Sequence, residues 1–314
     1  MKFFLFLIAL LGVGVVALVI FTQMNIARIE QKFPPVGQFS EMAEGRLHYT
    51  DLGSEKEGEV PVLFVHGASG NLLDQQEAFK DAIAGRYRGI FVDRPGYGHS
   101  DRMGANDPAK QAALYAQLLD ELQIEQVVLV GHSLGAASVA AFAVLYPDRV
   151  RGLVFLAPAT HPWPGGVTWY YEIAAKPVIG WLFTETLTLP AGLQSLESGA
   201  KGVFDPQEAP LNYVENTALP LILRPASFRH NARDVDGLNA FSRAFSPRYK
   251  EIKAPTVVIT GDKDDIVAPA IHSLGLERDI EGAELVVVPG LGHKPDYAET
   301  ARAMAAIEKV MAGP

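Results

Sequence analysis

The chain has 314 residues, 48% hydrophobic and 20% charged, which suits one large globular domain with room for an insertion. Its formal charge of −9, with no local cluster of lysine and arginine, argues against a nucleic-acid partner. Cysteine is absent, which excludes disulfides, thiol nucleophiles and thiolate metal sites and leaves the redox compartment undetermined.

Residues 3–27 carry no charge, and residues 3–21 are almost entirely Phe, Leu, Ile, Val and Ala. At 1.5 Å per residue the latter make roughly 28 Å of helix, close to the ~30 Å hydrocarbon thickness of a bilayer. A cleaved signal peptide has a shorter apolar region and ends in a small-x-small site, which is not found between Val19 and Glu30. An uncleaved anchor is therefore expected, with the membrane contact through residues 3–21. Lys2 on one side faces Arg28 and Lys32 on the other, so orientation is poorly encoded; the expectation adopted is a catalytic part outside the cytoplasm.

Pro34 and Pro35 stiffen the exit from this segment. Residues 39–42 and 46–52 read as a hairpin around Glu44 and Gly45, followed by a polar turn at 53–58. Buried strands are expected at 60–65, ending in His66 and Gly67, and at 89–92, ending in Asp93 and a loop set by Pro95, Gly96 and Gly98. Asp107 and Pro108 make an N-cap and N1 pair for a helix through Leu122. Residues 127–130 are a β-branched run suited to a strand buried on both faces, residues 134–146 a helix of small residues, and residues 150–156 the next strand. This alternation predicts an α/β fold, a mainly parallel twisted sheet flanked by helices. It stops between residues 160 and 246, which read as a helical insertion over the sheet. Strands resume at 255–260 and 285–288, and an amphipathic helix over 297–311 closes the chain. The implied division is an anchor and linker (1–30), a core (31–159 and 247–314) and a helical cap (160–246).

Within this frame Gly131-His132-Ser133-Leu134-Gly135 joins a buried strand to a helix, the context of a nucleophile elbow. The turn lifts the Ser133 hydroxyl clear of the sheet and aims backbone N–H groups at whatever it attacks. A serine hydroxyl needs a base, and the base needs a carboxylate to set its tautomer. Of the histidines after Ser133, His161 and His230 lie in the insertion and His272 in a predicted helix; His293 stands in the loop past the last strand, where a base belongs. The strand at 257–260 ends in Asp262, Asp264 and Asp265, of which Asp264, within the loop, is the candidate acid, Asp265 second and Asp262 third. A calcium loop is excluded there because Ile266 takes the fifth position. The backbone N–H groups of Leu134 and Ala68 are the candidate oxyanion donors, while His66 and His132 read as structural. All three tryptophans, Trp163, Trp169 and Trp181, fall in the first part of the insertion beside Tyr170, Tyr171 and Phe183, as cap core or as a substrate or membrane contact.

In order along the chain, the His66-Gly67 loop, the loop from Asp93, the Ser133 elbow, Gly261-x-x-Asp264 and His293 resemble the α/β-hydrolase superfamily from about residue 46 to the end, the insertion excepted. The resemblance implies a Ser-His-Asp hydrolase that forms an acyl-enzyme, and an insertion equivalent to that family's variable cap. Serine at 133, where epoxide hydrolases and haloalkane dehalogenases carry aspartate, argues against both. The expected activity is carboxylesterase or lipase chemistry on a modestly apolar small-molecule ester, with no cofactor and no metal. Cleavage of C–C or amide bonds or perhydrolysis on the same triad, or a silent ligand-binding protein of the same fold, are the alternatives.

Overall fold

The computed structural model describes residues 1–53 and 60–313, so most of the polar turn expected at 53–58 lies outside the described residues. Eight strands form one sheet: β1 (Gln38–Met42), β2 (Gly45–Gly53), β3 (Val62–Val65), β4 (Arg88–Val92), β5 (Val127–His132), β6 (Val150–Leu156), β7 (Thr256–Gly261) and β8 (Glu284–Val288). Their order is β1-β2-β4-β3-β5-β6-β7-β8. The hairpin β1–β2 is antiparallel, as is β2 against β4; every later pairing is parallel.

Side chains alternate between two cores because successive strand residues point to opposite faces. Leu63, Val65, Leu129, Leu153 and Phe155 face one core, covered by α3 (Pro108–Glu121), α4 (Gly135–Leu145) and α10 (Ser273–Asp279). Val62, Phe64, Val128, Val130, Val154 and Leu156 face the other, covered by α2 (Leu72–Ile83) and α12 (Thr300–Ala312). The two faces explain why β5 is apolar at every position of its Val127–Val130 run. The Asp107 side chain accepts the Lys110 N–H at 3.0 Å with Pro108 at the first turn, so α3 begins where the cap pair predicts.

Two boundaries differ from the pattern in the sequence. The closing helix is not continuous from residue 297: a turn, α11 (Pro295–Ala298), precedes α12. Asp296 and Tyr297 are pinned to α2, by Gln75 Nε2 at 2.7 Å and by the Asp74 carbonyl at 2.8 Å, and the chain bends at Glu299 to satisfy both. His272 stands just before α10, where its Nδ1 accepts the N–H groups of Thr160 and His161 at 3.1 and 3.0 Å. Its apparent helical setting is a turn held by the loop after the neighbouring parallel strand β6.

Between β6 and β7 the chain is helical: α5 (Trp169–Ala175), α6 (Pro177–Phe183), α7 (Leu189–Phe204), α8 (Tyr213–Asn216) and α9 (Pro225–Phe245), with single-turn helices between them. The N-terminal helix α1 (Lys2–Lys32) is long and apolar enough to cross a membrane. Its second half leans on these cap helices: Ile29 packs with Leu189, Leu221 and Ile222, and Gln23 Nε2 donates to Glu185 at 3.0 Å.

Candidate active site

The floor of the site is made by loops at the carboxyl ends of β3, β5, β7 and β8. At the end of β5 the backbone turns through Ser133 at φ +52°, a conformation that strains a residue with a side chain. The turn is held by the Ser133 N–H donating to the Leu156 carbonyl at 2.9 Å and by the Ser133 carbonyl accepting from Ala136 and Ala159. Close approach explains the flanking glycines. A Cβ on Gly131 would stand 2.8 Å from the Ala136 Cα, and one on Gly135 would drive into the carbonyls of Val65 and His66.

His293 reaches Ser133 from the loop after β8, its Nε2 3.0 Å from the Ser133 Oγ. On the other side its Nδ1 lies 2.8 Å from Asp264 Oδ2. The remaining Asp264 oxygen accepts the N–H groups of Ile266 and Val267 at 3.0 and 2.9 Å, so the carboxylate is fixed by its own loop. A carboxylate receiving Nδ1–H leaves Nε2 as the acceptor facing the serine, the arrangement that lets a hydroxyl be deprotonated as it adds to a carbonyl. All three residues are buried. Asp265 and Asp262 are not brought to His293; Asp262 instead accepts the Gly290 N–H at 2.7 Å.

Ala68 and Leu134 both border the cavity beside Ser133, Leu134 at the N-terminal end of α4. Among the described residues, neither N–H donates to a protein acceptor. The loop bearing Ala68 is held from the cap. The Ser69 N–H donates to Asn231 Oδ1 at 2.8 Å, the Ser69 hydroxyl meets Tyr171 Oη at 2.9 Å, and Arg94 donates to the Gly67 carbonyl at 3.2 Å. Arg94 is itself fully buried, 2.8 Å from Asp234 on α9, which also receives Arg102 at 2.6 Å. The clamps that cross to the cap are not visible in local spacing, because Asn231, Tyr171 and Asp234 stand more than a hundred residues from their partners. His66 is structural: it bonds the Gly67 carbonyl and accepts the Arg94 N–H, and burial, with help from Arg94, holds its pKa down at about 4. Asp93 is the hub of its loop, receiving His48, His99 and Leu72 at 2.6–2.8 Å.

Beneath His293 lies a second polar cluster that no motif announced. The His132 Nε2 donates to the His293 carbonyl at 3.0 Å, and burial holds the His132 pKa down at about 4, so the ring is neutral. Lys294, fully buried, lies 2.9 Å from both Asp74 and Asp296. Burial alone would lower its pKa, but the two carboxylates outweigh that and raise it. Asp74 in turn is held below its usual value, the Lys294 charge outweighing the burial that would raise it. Asp74, His132 and Asp296 are the described residues whose donor atoms cluster as metal ligands do, yet the Lys294 ammonium already supplies the cation their charges call for.

Above this floor a cavity of about 1600 Å³ reaches into the cap. Its roof is aromatic, with Trp163, Trp169, Tyr170, Tyr171, Phe183 and Phe228. Trp181 is not among the lining residues and points outward. Among the described lining residues Lys294 is the single lysine or arginine, and it is committed to its two carboxylates.

Fold and site define an enzyme, and the chain belongs to the alpha/beta hydrolase fold family, whose family model matches residues 60–295. It is similar to the 2-hydroxy-6-oxononadienedioate/2-hydroxy-6-oxononatrienedioate hydrolase of Paraburkholderia phymatum, with 32% identity over 82% of this chain and 88% of that one. It is also similar to the 2-hydroxy-6-oxo-6-phenylhexa-2,4-dienoate hydrolase of Burkholderia cepacia, with 29% identity over 79% and 85%. Among solved structures, an alpha/beta hydrolase fold protein from Nakamurella multipartita superposes with a TM-score of 0.65 at 25% identity, over 88% of this chain and 99% of that one. The chain is thus a hydrolase of this fold.

Proposed function

We infer that the chain is a serine hydrolase that cleaves a neutral, largely apolar substrate at a carbonyl carbon. The reading rests on one observation, the Ser133–His293–Asp264 hydrogen-bond relay at the base of an apolar cavity that, among the described residues, offers no uncommitted lysine or arginine. Ser133 Oγ adds to the carbonyl as its proton passes to His293 Nε2, and Asp264 holds the ring and steadies the imidazolium. The N–H groups of Leu134 and Ala68 receive the oxyanion. His293 returns the proton to the leaving group, and a water molecule, deprotonated by the same ring, frees the acyl group and regenerates the serine.

Two bonds fit this chemistry. Sequence similarity favours a carbon–carbon bond over the ester expected from sequence, because the relatives' named substrates carry a 6-oxo group and neither an ester nor an amide. Those substrates are also carboxylates, however, and a carboxylate buried here would meet no free lysine or arginine among the described residues. The charge of the cavity therefore favours a neutral ester or a neutral ketone. We also read α1 as a membrane anchor, on its length and its exposed apolar side chains.

The test is turnover of three substrates by the full chain and by Ser133→Ala: a 6-oxo dienoate, an uncharged 1,5-dicarbonyl analogue, and p-nitrophenyl esters of rising chain length. The wild type is expected to prefer a neutral substrate, and Ser133→Ala to fall to background, a loss on the order of 10⁶-fold. Preference for the dienoate would return the chain to the relatives' acids, and equal rates in wild type and Ser133→Ala would remove the serine mechanism.

A further inference from the structure

The cap exposes apolar side chains in one continuous face. From residue 177 to residue 193 the single charged side chain is Glu185, and it is turned inward to Gln23 of α1 and Arg229. On α6 Val178 is 79% exposed, Ile179 62%, Trp181 52% and Leu182 43%, and Leu187, Leu193 and Trp169 lie open beside them. Apolar residues scattered singly are normal on a soluble surface; a contiguous group of this size marks something that covers it.

Two observations say what covers it. The face begins where α1 leaves the fold. Thr22 is buried and Gln23 is tied to Glu185, whereas Phe3, Phe4, Phe6, Leu10 and Leu11 stand free on the part of α1 suited to hydrocarbon. The cavity, moreover, opens on the same side, since Leu18 of α1 lines it with Trp169 and Leu187. Leu18 precedes Thr22 by four residues, about 6 Å along the helix axis, on the bilayer side of the point where α1 docks.

We propose that this face seats in a lipid bilayer and that the cavity takes lipophilic, uncharged substrates sideways out of the membrane, between Leu18, Trp169 and Leu187. In this arrangement α6 lies in the interface with Val178, Ile179 and Leu182 among acyl chains and Trp181 near the headgroups, where indole rings favour a half-wet setting. Continuity with α1 selects the bilayer over a protein partner, because α1 docks on residues 184–188, into which α6 runs directly, so a helix that crosses the membrane brings this part of the cap to its surface. The proposal rests on the readings of α1 as an anchor and of the Ser133 cavity as the active site, and it adds the substrate's route and physical state.

The experiment has two arms. The full chain with Trp163 and Trp169 replaced by Phe, leaving Trp181 as reporter, is reconstituted into phosphatidylcholine vesicles with brominated acyl chains. Quenching of Trp181 emission by half or more supports the proposal; emission indifferent to bromine overturns it, water-like if the face is solvated and blue-shifted if a second copy covers it. In the second arm wild type and Val178→Asp/Ile179→Asp, neither residue lining the cavity, are compared on a long-chain substrate dissolved in vesicles and on a short, water-soluble one. A loss of tenfold or more on the vesicle substrate, with the soluble one within twofold, supports entry from the bilayer. Unchanged vesicle rates, or equal losses on both, overturn it. A wild type inactive on both would count against the Ser133 reading, and the bromine arm would still decide the surface.

Discussion

On the floor of the cavity Ser133, His293 and Asp264 are held by directed hydrogen bonds of 2.8–3.0 Å, with Asp264 anchored by a turn of its own loop. On the roof Trp169, Tyr170, Phe183 and Phe228 meet only ring to ring, with centroids 5.8–6.3 Å apart and no shared hydrogen bond among these four. Hydrogen bonds lose their value over fractions of an ångström, whereas apolar contact is roughly proportional to area and can be repacked. The floor is therefore suited to a fixed reaction and the roof to a substrate class, and the two should respond differently to change.

The largest expected effect is on the floor. Asp264→Asn preserves shape but no longer fixes His293 with Nδ1 protonated, and kcat should fall by about 10⁴-fold while the circular dichroism spectrum is unchanged. A fall of less than tenfold would show that another group orients the ring. Next comes the layer beneath. Lys294→Met leaves Asp74 and Asp296 buried without their shared cation, and should destabilise the fold by about 3–5 kcal/mol in denaturant titrations. A loss under 1 kcal/mol would mean that the cluster is hydrated and carries little of the floor.

A smaller effect comes from pH. His66 and His132 are held neutral by burial down to about 4, whereas an unfolded chain protonates histidine near pH 6.5. Between those values the unfolded state binds more protons, so the contribution present above pH 6.5 is lost as pH falls, by about 2 kcal/mol per histidine at pH 4.5. Stability measured from pH 7 to 4.5 should show this slope, and it should be shallower in His132→Gln. An identical slope in that variant would locate the protons elsewhere. The smallest effect belongs to the roof. Trp163→Ala should raise KM by threefold to tenfold with kcat within threefold, since contact with the body of a substrate is equal in ground and transition states. A large fall in kcat would show that the roof also positions the reacting carbonyl.

The sequence by itself determined the alternation of strands and helices, and hence the parallel sheet with two cores, because the period of apolar residues directly reports which faces are buried. It also singled out Ser133, Asp264 and His293, since each sits in a loop directly after a recognisable strand, and strand ends on a parallel sheet converge. The tertiary structure alone decided what those loops rest on. The Lys294–Asp74 pair, the Arg94–Asp234 bolt between floor and cap, and the Asn231 and Tyr171 clamps on Ser69 join residues 100 to more than 200 positions apart. No local spacing encodes such pairs; they arise from burial that only the folded chain creates. The bend at Glu299 and the outward turn of Trp181, away from the aromatics beside it in sequence, have the same origin. Periodicity states that a side chain lies on an apolar face, and packing decides which neighbour, protein or bilayer, that face meets.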